Sequence, residues 1–547
     1  MSSEEYFNYN RITRISMIRV TFSDALNISN TSSYSTHPKV VLSKGEHIYI
    51  IWHESVGIYG SRTSATPEKR SSIMYRVSHD SGQSFGGIKK LYDFFTPMSF
   101  PATVEASKAG RVFAAWRDIE GEKPDPTIIF TRTADIDGSS EEFENLRRMN
   151  REDEKTFKHS DDVQGRAYSP DKDQKMLARR GRWLHSMAGP SPSLVVSDHH
   201  VYILWLGVRD LLSDQASDYS DRIHVECEVI FRASHNAGDT FDDPVKLGQF
   251  TLRDQPVHTE MNLKAIDGKV YATWHQLGRG DYSGKTLLRR SNDGGTTFDD
   301  PIVLGGTRYR GQPETSQAYL CDVAVDESDA GSSRDELFAT WFALEQKTTD
   351  PIDFMPRFFG GNTSLHFAKI IFSNNGFDFS NQTRIAEGTR GKSDSFIRVH
   401  GDNVYVFYGR YSRSDAVCMK SSSNRGATFG PEVIIRGTDP PQDGISFGGI
   451  GVQVLCQKNK LFAAWHKGLR RDEDENPRKP SLPKSVVMFS VSDDAGITFS
   501  EPSMISVSRE RRSALPSFAV SGNKIHMAWC EGSDDAPDVW FRLGVSS

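Results

Sequence analysis

A turn that recurs along the chain constrains its fold more than any other feature. In its clearest form it reads SNDGGTTFDDP over 291–301, between the apolar-polar run 286–290 and a second apolar run. Two such runs joined by a glycine-rich turn are typical of a β-hairpin. Within the turn we expect Gly295 to adopt a positive φ, Asp293 to accept hydrogen bonds from backbone amides, and Phe298 to fold back onto its own hairpin.

Further copies of this turn follow the same pattern. Four of them keep its spacing and lie at 78–85, 234–241, 422–429 and 492–499. A copy one residue shorter occupies 373–379, and a degenerate copy lies near 133–138. One copy would be a weak signal, but five good copies in one chain indicate a structural unit that repeats.

A second motif, a strand that ends in an aromatic residue, alternates with these turns. Its aromatic ends are Trp52, Trp116, Trp205, Trp274, Trp341, Tyr408, Trp465 and Trp529. The differences between these successive residue numbers are 64, 89, 69, 67, 67, 57 and 64. Eight copies at a nearly constant interval predict eight equivalent units, each with this strand as its second.

Each unit is predicted to contain four antiparallel strands. A first strand follows a Pro- or Gly-marked start, the aromatic strand is second, and the third and fourth strands flank the turn. Four-stranded units that repeat in this way are typical of β-propeller blades. The last unit stops at a third strand, 538–543, and residues 21–28 resemble its missing fourth strand. We therefore expect an all-β chain that forms one eight-bladed propeller, closed by the N-terminal strand so that no edge stays open.

The domain organisation follows from these repeats. Residues 1–18 are expected to be an N-terminal tail and residues 19–547 a single propeller domain. The segment 144–188 falls outside the pattern and accounts for the interval of 89 residues. It is highly charged, so it is either a solvated surface insertion or a cap over one face of the ring.

Bulk composition excludes some functions. The 547 residues carry a net charge of −6, which gives no reason to expect binding to nucleic acid or to a membrane surface. No apolar run has the length of a membrane span, and the N-terminus has no apolar signal-peptide core. The chain is therefore expected to be cytoplasmic or otherwise soluble. Its five dispersed cysteines favour reduced thiols over a disulfide framework.

The repeated turn resembles the Asp-box, or bacterial neuraminidase repeat, of the sialidase superfamily. The resemblance extends along the chain unit by unit, although sialidases usually carry six blades. It implies that the aspartates of the turns, Asp80, Asp293 and Asp494, are structural, and that function lies on the opposite face. There the loops after the second strands and those before the first strands meet at the mouth of the central channel.

Polar residues are expected at this mouth. Those that follow second strands are His53, Glu54, Arg117, Asp118, His275, Gln276, Arg410, His466, Lys467 and Glu531. The segments that lead into first strands add His37, His185, His258 and Glu260. Such residues are unusually polar for positions that flank buried strands, so they are the candidate functional residues.

The first interpretation is glycoside hydrolysis of the exo-α-sialidase type, which the resemblance implies. Enzymes of that family use three arginines for the substrate carboxylate, a tyrosine nucleophile helped by a glutamate, and an aspartate acid/base. The candidate catalytic carboxylates are then Asp118, Glu54, Glu260 and Glu531. The candidate substrate-binding residues are Arg117, Arg410, His275, Gln276 and Lys467. The family's early Arg-Ile-Pro motif is absent, and the matching segment, 36–40, reads THPKV.

Two other interpretations compete with it. His53, His275 and His466 occupy the same repeat position in three units, so their imidazoles could converge on zinc or copper. No other cofactor is expected. Alternatively, the propeller is a non-catalytic scaffold that presents a face to a glycan or a protein. The interpretation that we favour is a sialidase-like propeller that binds, and could hydrolyse, a glycan or another anionic small ligand at the channel mouth.

Overall fold

The computed structural model describes most of the predicted strands. The described residues are 18–44, 47–55, 71–94, 101–118, 127–135, 141–144, 146–149, 191–210, 224–253, 261–277, 284–305, 318–331, 334–344, 363–373, 376–379, 382–387, 395–410, 413–435, 452–469, 484–533 and 536–547. Their regular elements are strands, apart from a 3-10 helix at Glu327–Asp329. No helix in these ranges is long and apolar enough to cross a membrane. The predicted all-β class is therefore confirmed.

The strands form four-stranded sheets, which we number in chain order. Two short strands, β1 (Val20–Phe22) and β2 (Leu26–Asn27), come first in the described chain. Sheet I comprises β3 to β6, which span Tyr34–Leu42, Ile48–Ser55, Ser72–Ser78 and Lys89–Asp93. Sheet II comprises β7 to β10, which span Thr103–Ala106, Val112–Asp118, Thr127–Arg132 and Arg147–Arg148. Sheet III comprises β11 to β14, which span Ser193–Ser197, His200–Asp210, His224–Ser234 and Val245–Arg253.

The remaining sheets continue this order. Sheet IV comprises β15 to β18, which span Met261–Ile266, Lys269–Leu277, Gly284–Ser291 and Ile302–Gly305. Sheet V comprises β19 to β23, which span Ala318–Ala324, Glu336–Leu344, Thr363–Ser373, Gly376–Asp378 and Gln382–Glu387. Sheet VI comprises β24 to β27, which span Ser395–His400, Asn403–Arg410, Arg413–Ser422 and Val433–Ile435. Sheet VII comprises β28 to β31, which span Gln453–Gln457, Lys460–Gly468, Ser485–Ser492 and Ser503–Met504. Sheet VIII contains β32 to β34, which span Arg512–Ser521, Lys524–Gly532 and Pro537–Ser546.

Within each sheet the strands lie in chain order, and neighbouring strands are antiparallel. In sheet V the fourth place is divided between β22 and β23, which both pair with β21. A single parallel bridge between Ser485 and Arg512 joins sheets VII and VIII. β1 and β2 both pair with β34, and Thr21 lies opposite Val545. Sheet VIII therefore obtains its outer strand from the N-terminal part of the described chain.

The second strands are buried on both of their faces. All seven residues of β8 and the first six residues of β4 are buried. Because side chains alternate between the two faces of a strand, such burial requires a neighbouring sheet on each side. The tryptophans that end these strands, among them Trp116 and Trp465, are buried between the sheets.

The first strands of consecutive sheets contact one another. β3 contacts β7, and the contacts continue through β11, β15, β19, β24, β28 and β32. β32 in turn contacts β3. The first strands therefore lie next to one another, and the fourth strands form the opposite edge of each sheet.

The hydrogen bonds predicted within the repeated turns are present. In sheet IV, Ser291 Oγ donates to Asp293 Oδ1 at 2.8 Å and accepts from Gly295 N at 2.8 Å. Thr297 N donates to the same aspartate oxygen at 2.8 Å. Gly295 has a φ of 94°, in the left-handed region that glycine tolerates. Equivalent bonds from serine to aspartate or asparagine occur in the turns that begin at Ser78, Ser234, Ser422 and Ser492.

The phenylalanine of the turn packs differently from the prediction. The partner of Phe298 is Phe231, on the third strand of the preceding sheet, and their ring centroids are 5.0 Å apart with the rings edge to face. The other pairs of this kind are Phe85–Phe541, Phe241–Phe130 and Phe429–Phe367, at 5.0, 5.0 and 4.9 Å. Each of these turns is thus packed against the preceding sheet rather than onto its own hairpin, and the turn of sheet I is packed against sheet VIII.

Candidate functional site

Each sheet has one end that carries the turn and an opposite end, which we call the loop end. At the loop end the second strand finishes and the third begins, so that Glu54 lies opposite Ser72 in sheet I. The predicted polar residues lie at this end, but within the second strands rather than in loops, since β4 continues to Ser55 and β8 to Asp118. Six of their side chains are buried: His53, Arg117, Asp118, His275, Lys467 and Glu531.

Asp118 contacts a tyrosine that was not predicted from the sequence. Tyr92, on β6 of sheet I, donates its hydroxyl hydrogen to Asp118 Oδ2 at 2.6 Å. The Tyr92 ring packs against Trp116 and Phe94, with centroids 5.2 and 5.3 Å apart. Tyr92 and Asp118 are both 0% exposed. Their hydrogen bond joins sheets I and II.

Arg117 faces away from Asp118. Consecutive strand residues point to opposite sides of a sheet, so Arg117 faces sheet III while Asp118 faces sheet I. Burial raises the pKa of the Cys227 thiol, on β13 of sheet III, to about 12, and the nearby charge of Arg117 opposes that rise. The two predicted residues therefore belong to two different spaces between sheets and do not form one site.

The carboxylate of Glu531 is already occupied by donors from the protein. Its Oε2 accepts hydrogen bonds from Val507 N and from Trp529 Nε1, both at 2.8 Å. Its Oε1 accepts a third bond from Ser508 N at 2.8 Å. A buried carboxylate with three donors is stabilised in place, so Glu531 fixes the segment between β31 and β32.

Two histidines lie at the loop end of sheet I. The register of the β3–β4 pair shifts between Thr36 and Lys39. The shift places His37 at a φ of 52°, and such a conformation costs a non-glycine residue about 1–3 kcal/mol. His37 Nδ1 and His53 Nε2 are buried and have no hydrogen-bond partner among the described residues.

Both histidines are neutral at pH 7. Burial lowers the pKa of His53 to about 3, with a further contribution from the nearby His37. Burial also lowers the pKa of His37 to about 4, and the charge of Lys39 lowers it further. A neutral imidazole has one donor and one acceptor nitrogen, so each ring can exchange hydrogen bonds with a hydroxyl group.

Glu54 lies on the other face of sheet I. It shares that face with Trp52, which packs against residues of sheet VIII. Glu54 Oε2 is buried and makes no hydrogen bond to the part of the chain that the structure describes. The loop end of sheet I thus holds unpaired polar atoms on both faces. We refer to His37 and His53 as the sheet I cluster, to which Glu54 on the opposite face does not belong.

The other predicted residues are distributed over more distant sheets. His275 and Gln276 lie on β16 of sheet IV, and His466 and Lys467 lie on β29 of sheet VII. Across the described ranges, no three His, Cys, Asp or Glu side chains are grouped as a metal ion requires. His53, His275 and His466, for which zinc or copper was predicted, belong to no such group in these ranges.

Some predicted residues fall outside the described part of the chain. They are Glu260, His185 and His258, together with the side chain of Arg410, whose backbone belongs to β25. The predicted insertion, 144–188, also lies outside it except for residues 144 and 146–149.

A second tyrosine–carboxylate pair was also not predicted. Tyr408, the aromatic end of β25, donates its hydroxyl hydrogen to Glu432 Oε2 at 2.5 Å. Tyr408 stands where the other seven units have tryptophan. A buried phenol needs an acceptor for its hydroxyl hydrogen, so this exchange of tryptophan for tyrosine was the signal that a polar partner lies nearby.

The described strands define the class of the protein, an all-β chain built of four-stranded antiparallel sheets. No family model and no curated protein sequence matches it. Among solved structures, a protein of unknown function from Dyadobacter fermentans is similar with a TM-score of 0.35 and 10% sequence identity. That match covers 96% of this chain and 99% of the other.

Two sialidases are similar at the same level. The NanB sialidase from Streptococcus pneumoniae has a TM-score of 0.32 and 10% identity, over 99% of this chain and 72% of the other. Trypanosoma rangeli sialidase has a TM-score of 0.34 and 10% identity, over 96% of this chain and 59% of the other. Likeness at this level indicates neither a substrate nor a reaction for this chain, and the fold rests on the strand pairing described above.

Proposed function

We propose that the eight sheets are the blades of one closed β-propeller that extends over residues 19–547. The first strands contact one another in order, and the contact between β32 and β3 connects the last sheet to the first. Phe85 of the first turn packs on Phe541 of sheet VIII, as the later turns pack on their preceding sheets. β1 and β2 supply sheet VIII with its outer strand. These observations support a ring without an open edge.

We further propose that the loop end of this propeller binds a glycan or another anionic small ligand. The observation that carries the proposal is the set of unpaired buried atoms in the sheet I cluster. An unpaired buried polar group costs about 1–3 kcal/mol, so two of them close together at one strand end favour a ligand that pairs with them. Sugar hydroxyl groups suit this role because each can both donate and accept a hydrogen bond.

A cation beside the cluster favours an anionic ligand. Lys39 lies two residues from His37 on β3, close enough for its charge to lower the pKa of His37. The Lys39 side chain is accessible to solvent, although the surrounding protein lowers the pKa of its ammonium group and the charge of Glu105 opposes that change. A carboxylate carried by a bound sugar would therefore meet an ammonium group at the same strand end that offers the neutral imidazoles.

Binding is better supported than hydrolysis by the described side chains. The tyrosine–carboxylate pair of Tyr92 and Asp118 is fully buried. Arg117 faces a different space from Asp118, and the carboxylate of Glu531 already accepts three hydrogen bonds. The alternative of an interaction scaffold has the same architecture, and a scaffold that presents its face to a protein would bind no small glycan.

The proposal predicts weaker glycan binding when the nitrogens of His53 are removed. We expect wild-type protein to bind 3′-sialyllactose, and we expect His53→Phe to weaken that affinity about tenfold, which corresponds to one lost hydrogen bond of about 1.4 kcal/mol. The phenylalanine can keep the edge-to-face contact that His53 makes with Phe94 at 5.8 Å. Isothermal titration calorimetry measures both affinities.

The matched control is His526→Phe. His526 is also buried, and burial lowers its pKa to about 4, but it lies near the turn end of β33. We expect this variant to bind sialyllactose like the wild type. Equal affinity in His53→Phe and wild type would remove the sheet I cluster from the site. No binding of sialyllactose or lactose to the wild type would favour the scaffold, and release of a fluorogenic aglycone from a sialoside would establish hydrolysis.

A further inference from the structure

Two pairs of histidines occupy equivalent repeat positions at the turn end of sheets I and III. One histidine of each pair, His79 or His235, is the second residue of the repeated turn. The other, His47 or His200, lies five residues before the tryptophan of the second strand, by difference of residue numbers. In sheets IV, VI and VII, which also carry a full copy of the turn, the two positions are Lys269 and Asn292, Asn403 and Ser423, and Lys460 and Asp493. The fold therefore does not require a histidine at either position.

The imidazoles of the sheet III pair contact each other directly. His200 Nδ1 and His235 Nδ1 are 3.0 Å apart, and the ring centroids are 5.1 Å apart with an angle of 78° between the rings. His199 lies against His200, with ring centroids 4.1 Å apart. His200 and His235 are both partly accessible to solvent, so the facing nitrogens can be reached from water.

A carboxylate orients the turn histidine in both sheets. His235 Nε2 donates to Asp242 Oδ2 at 2.9 Å, and His79 Nε2 is hydrogen-bonded to Glu141 Oε1. A neutral imidazole carries one hydrogen, so a bond from Nε2 to a carboxylate leaves a lone pair on Nδ1. In sheet III this is the atom that faces His200. Metal-binding histidines are held in the same way, with the second ring nitrogen donating to a carboxylate.

The separation of 3.0 Å between the two Nδ1 atoms fits neighbouring ligands of one metal ion. With metal–nitrogen bonds of about 2.0–2.1 Å, nitrogens at 90° are about 2.8–3.0 Å apart, and tetrahedral neighbours are about 3.3–3.4 Å apart. Square-planar or tetragonal nitrogen ligands are typical of copper(II), which such sites also bind most tightly. Burial lowers the pKa of His200, as do the nearby His199 and His235, so the His200 ring is neutral at pH 7, as a ligand must be.

We propose that each histidine pair binds one copper(II) ion, with His200 Nδ1 and His235 Nδ1 as neighbouring ligands in sheet III and water in the remaining positions. The imidazoles of His47 and His79, with centroids 4.4 Å apart, form the equivalent site in sheet I. Two protein ligands suffice because water completes the coordination. The described ranges contain no group of three such ligands.

Copper binding replaces the hydrogen bond between the two nitrogens. In the metal-free pair, His200 donates its hydrogen from Nδ1 to the lone pair of His235 Nδ1. When copper binds, that hydrogen moves through solvent from Nδ1 to Nε2 of His200. Both rings stay neutral, and the copper ion is neither oxidised nor reduced. The site lies within one sheet, so it depends neither on the closed ring nor on the glycan site.

Copper(II) alone is the probe, titrated into the full chain by isothermal titration calorimetry. The buffer contains glycine, which binds copper and suppresses sites of a single histidine. We expect two equivalents of copper per chain. His235→Asn should remove one equivalent and His79→Asn the other, and the double variant should bind neither. Asparagine is chosen because sheet IV carries Asn292 at this turn position.

Two further variants make the test specific. Asp242→Ala is expected to weaken the sheet III equivalent about 10–100-fold, because His235 loses the carboxylate that orients its ring. The matched control is His400→Asn. His400 lies at the turn end of sheet VI opposite Asn403, so no second histidine faces it across the strand pair. This variant should keep both equivalents at the affinity of the wild type.

Electron paramagnetic resonance of the bound copper should show splitting from two imidazole nitrogens. An absence of copper binding would overturn the proposal. So would copper that shows no such splitting, or that His400→Asn and His235→Asn reduce equally, since that copper is an adventitious ion only. If His235→Asn does not fold, His200→Asn decides, because sheet VI carries Asn403 at that position. The two proposals fail separately, since His235→Asn should bind sialyllactose, and His53→Phe should bind copper, like the wild type.

Discussion

A chain that begins at residue 32 is expected to lose cooperative thermal unfolding or to unfold at a far lower temperature than the full chain. It lacks β1 and β2, so the outer edge of β34 is left without a partner. An unpaired edge strand is also a template for aggregation, so we expect much of the shortened protein to be insoluble.

The size of the effect follows from the contacts that residues 18–31 make. Ile28 is 1% exposed and packs in a cluster with Trp52 and Phe541, and loss of a buried isoleucine costs about 2–5 kcal/mol. Ser29 Oγ and Asn27 Nδ2 donate to the carboxylate of Asp538 at 2.8 and 2.9 Å, and each such bond contributes about 1–3 kcal/mol. Together these approach the whole stability of a typical protein, about 5–15 kcal/mol.

The control for this deletion is a peptide added in trans. Calorimetry compares residues 32–547 alone, with a synthetic peptide of residues 18–31, and with a scrambled peptide of the same composition. We expect the native peptide to raise the unfolding temperature because it can restore the pairing with β34. An unfolding temperature equal to that of the full chain, without any peptide, would contradict the closed ring.

The second large effect is expected from Gly295→Ala, which should lower the free energy of unfolding by about 2–4 kcal/mol. Gly295 has a φ of 94°, and a Cβ atom built there would lie 2.5 Å from Cε1 of Phe231. Phe231 is 0% exposed and cannot move without disturbing the core. The substitution therefore adds left-handed strain and overpacking at the junction of two sheets.

Gly268→Ala separates these two causes. Gly268 also has a positive φ, 75°, but no atom lies within 4 Å of a Cβ built there. We expect it to lose only about 1 kcal/mol, the cost of the left-handed conformation. Urea denaturation of the two variants gives both values. Equal losses would show that the turn does not rely on its contact with the preceding sheet.

The repeated turn shows how far the sequence could predict the structure. Its local hydrogen bonds were predictable because serine, aspartate and glycine lie within five residues of one another. The partner of Phe298 was not, because Phe231 lies 67 residues earlier, by difference of residue numbers, on another sheet. A turn motif specifies its own backbone, whereas the surface on which its side chain packs depends on the neighbouring unit.

The candidate site shows the same limit. The aromatic ends of the second strands were visible in the sequence, and the polar residues that follow them lie at the loop end of the sheets. Their burial was not predictable, since Asp118 pairs with Tyr92 of another sheet and the charge of Arg117 acts on Cys227 of a third sheet.

The proposed closed ring requires the first and last sheets to be neighbours. The most direct measurement is whether cysteines at 20 and 546, introduced as Val20→Cys and Ser546→Cys, form a disulfide. These residues face each other across β1 and β34. Ser23 N donates to Leu543 O, and Ser547 N donates to Arg19 O. Because hydrogen-bonded and non-hydrogen-bonded pairs alternate along an antiparallel ladder, residues 20 and 546 form a non-hydrogen-bonded pair. The Cα atoms of such a pair are close enough for a disulfide to bridge the two residues. Peptide mapping of the oxidised monomer by mass spectrometry should show the two positions joined within one chain. Free thiols, or crosslinks only between two chains, would contradict the ring.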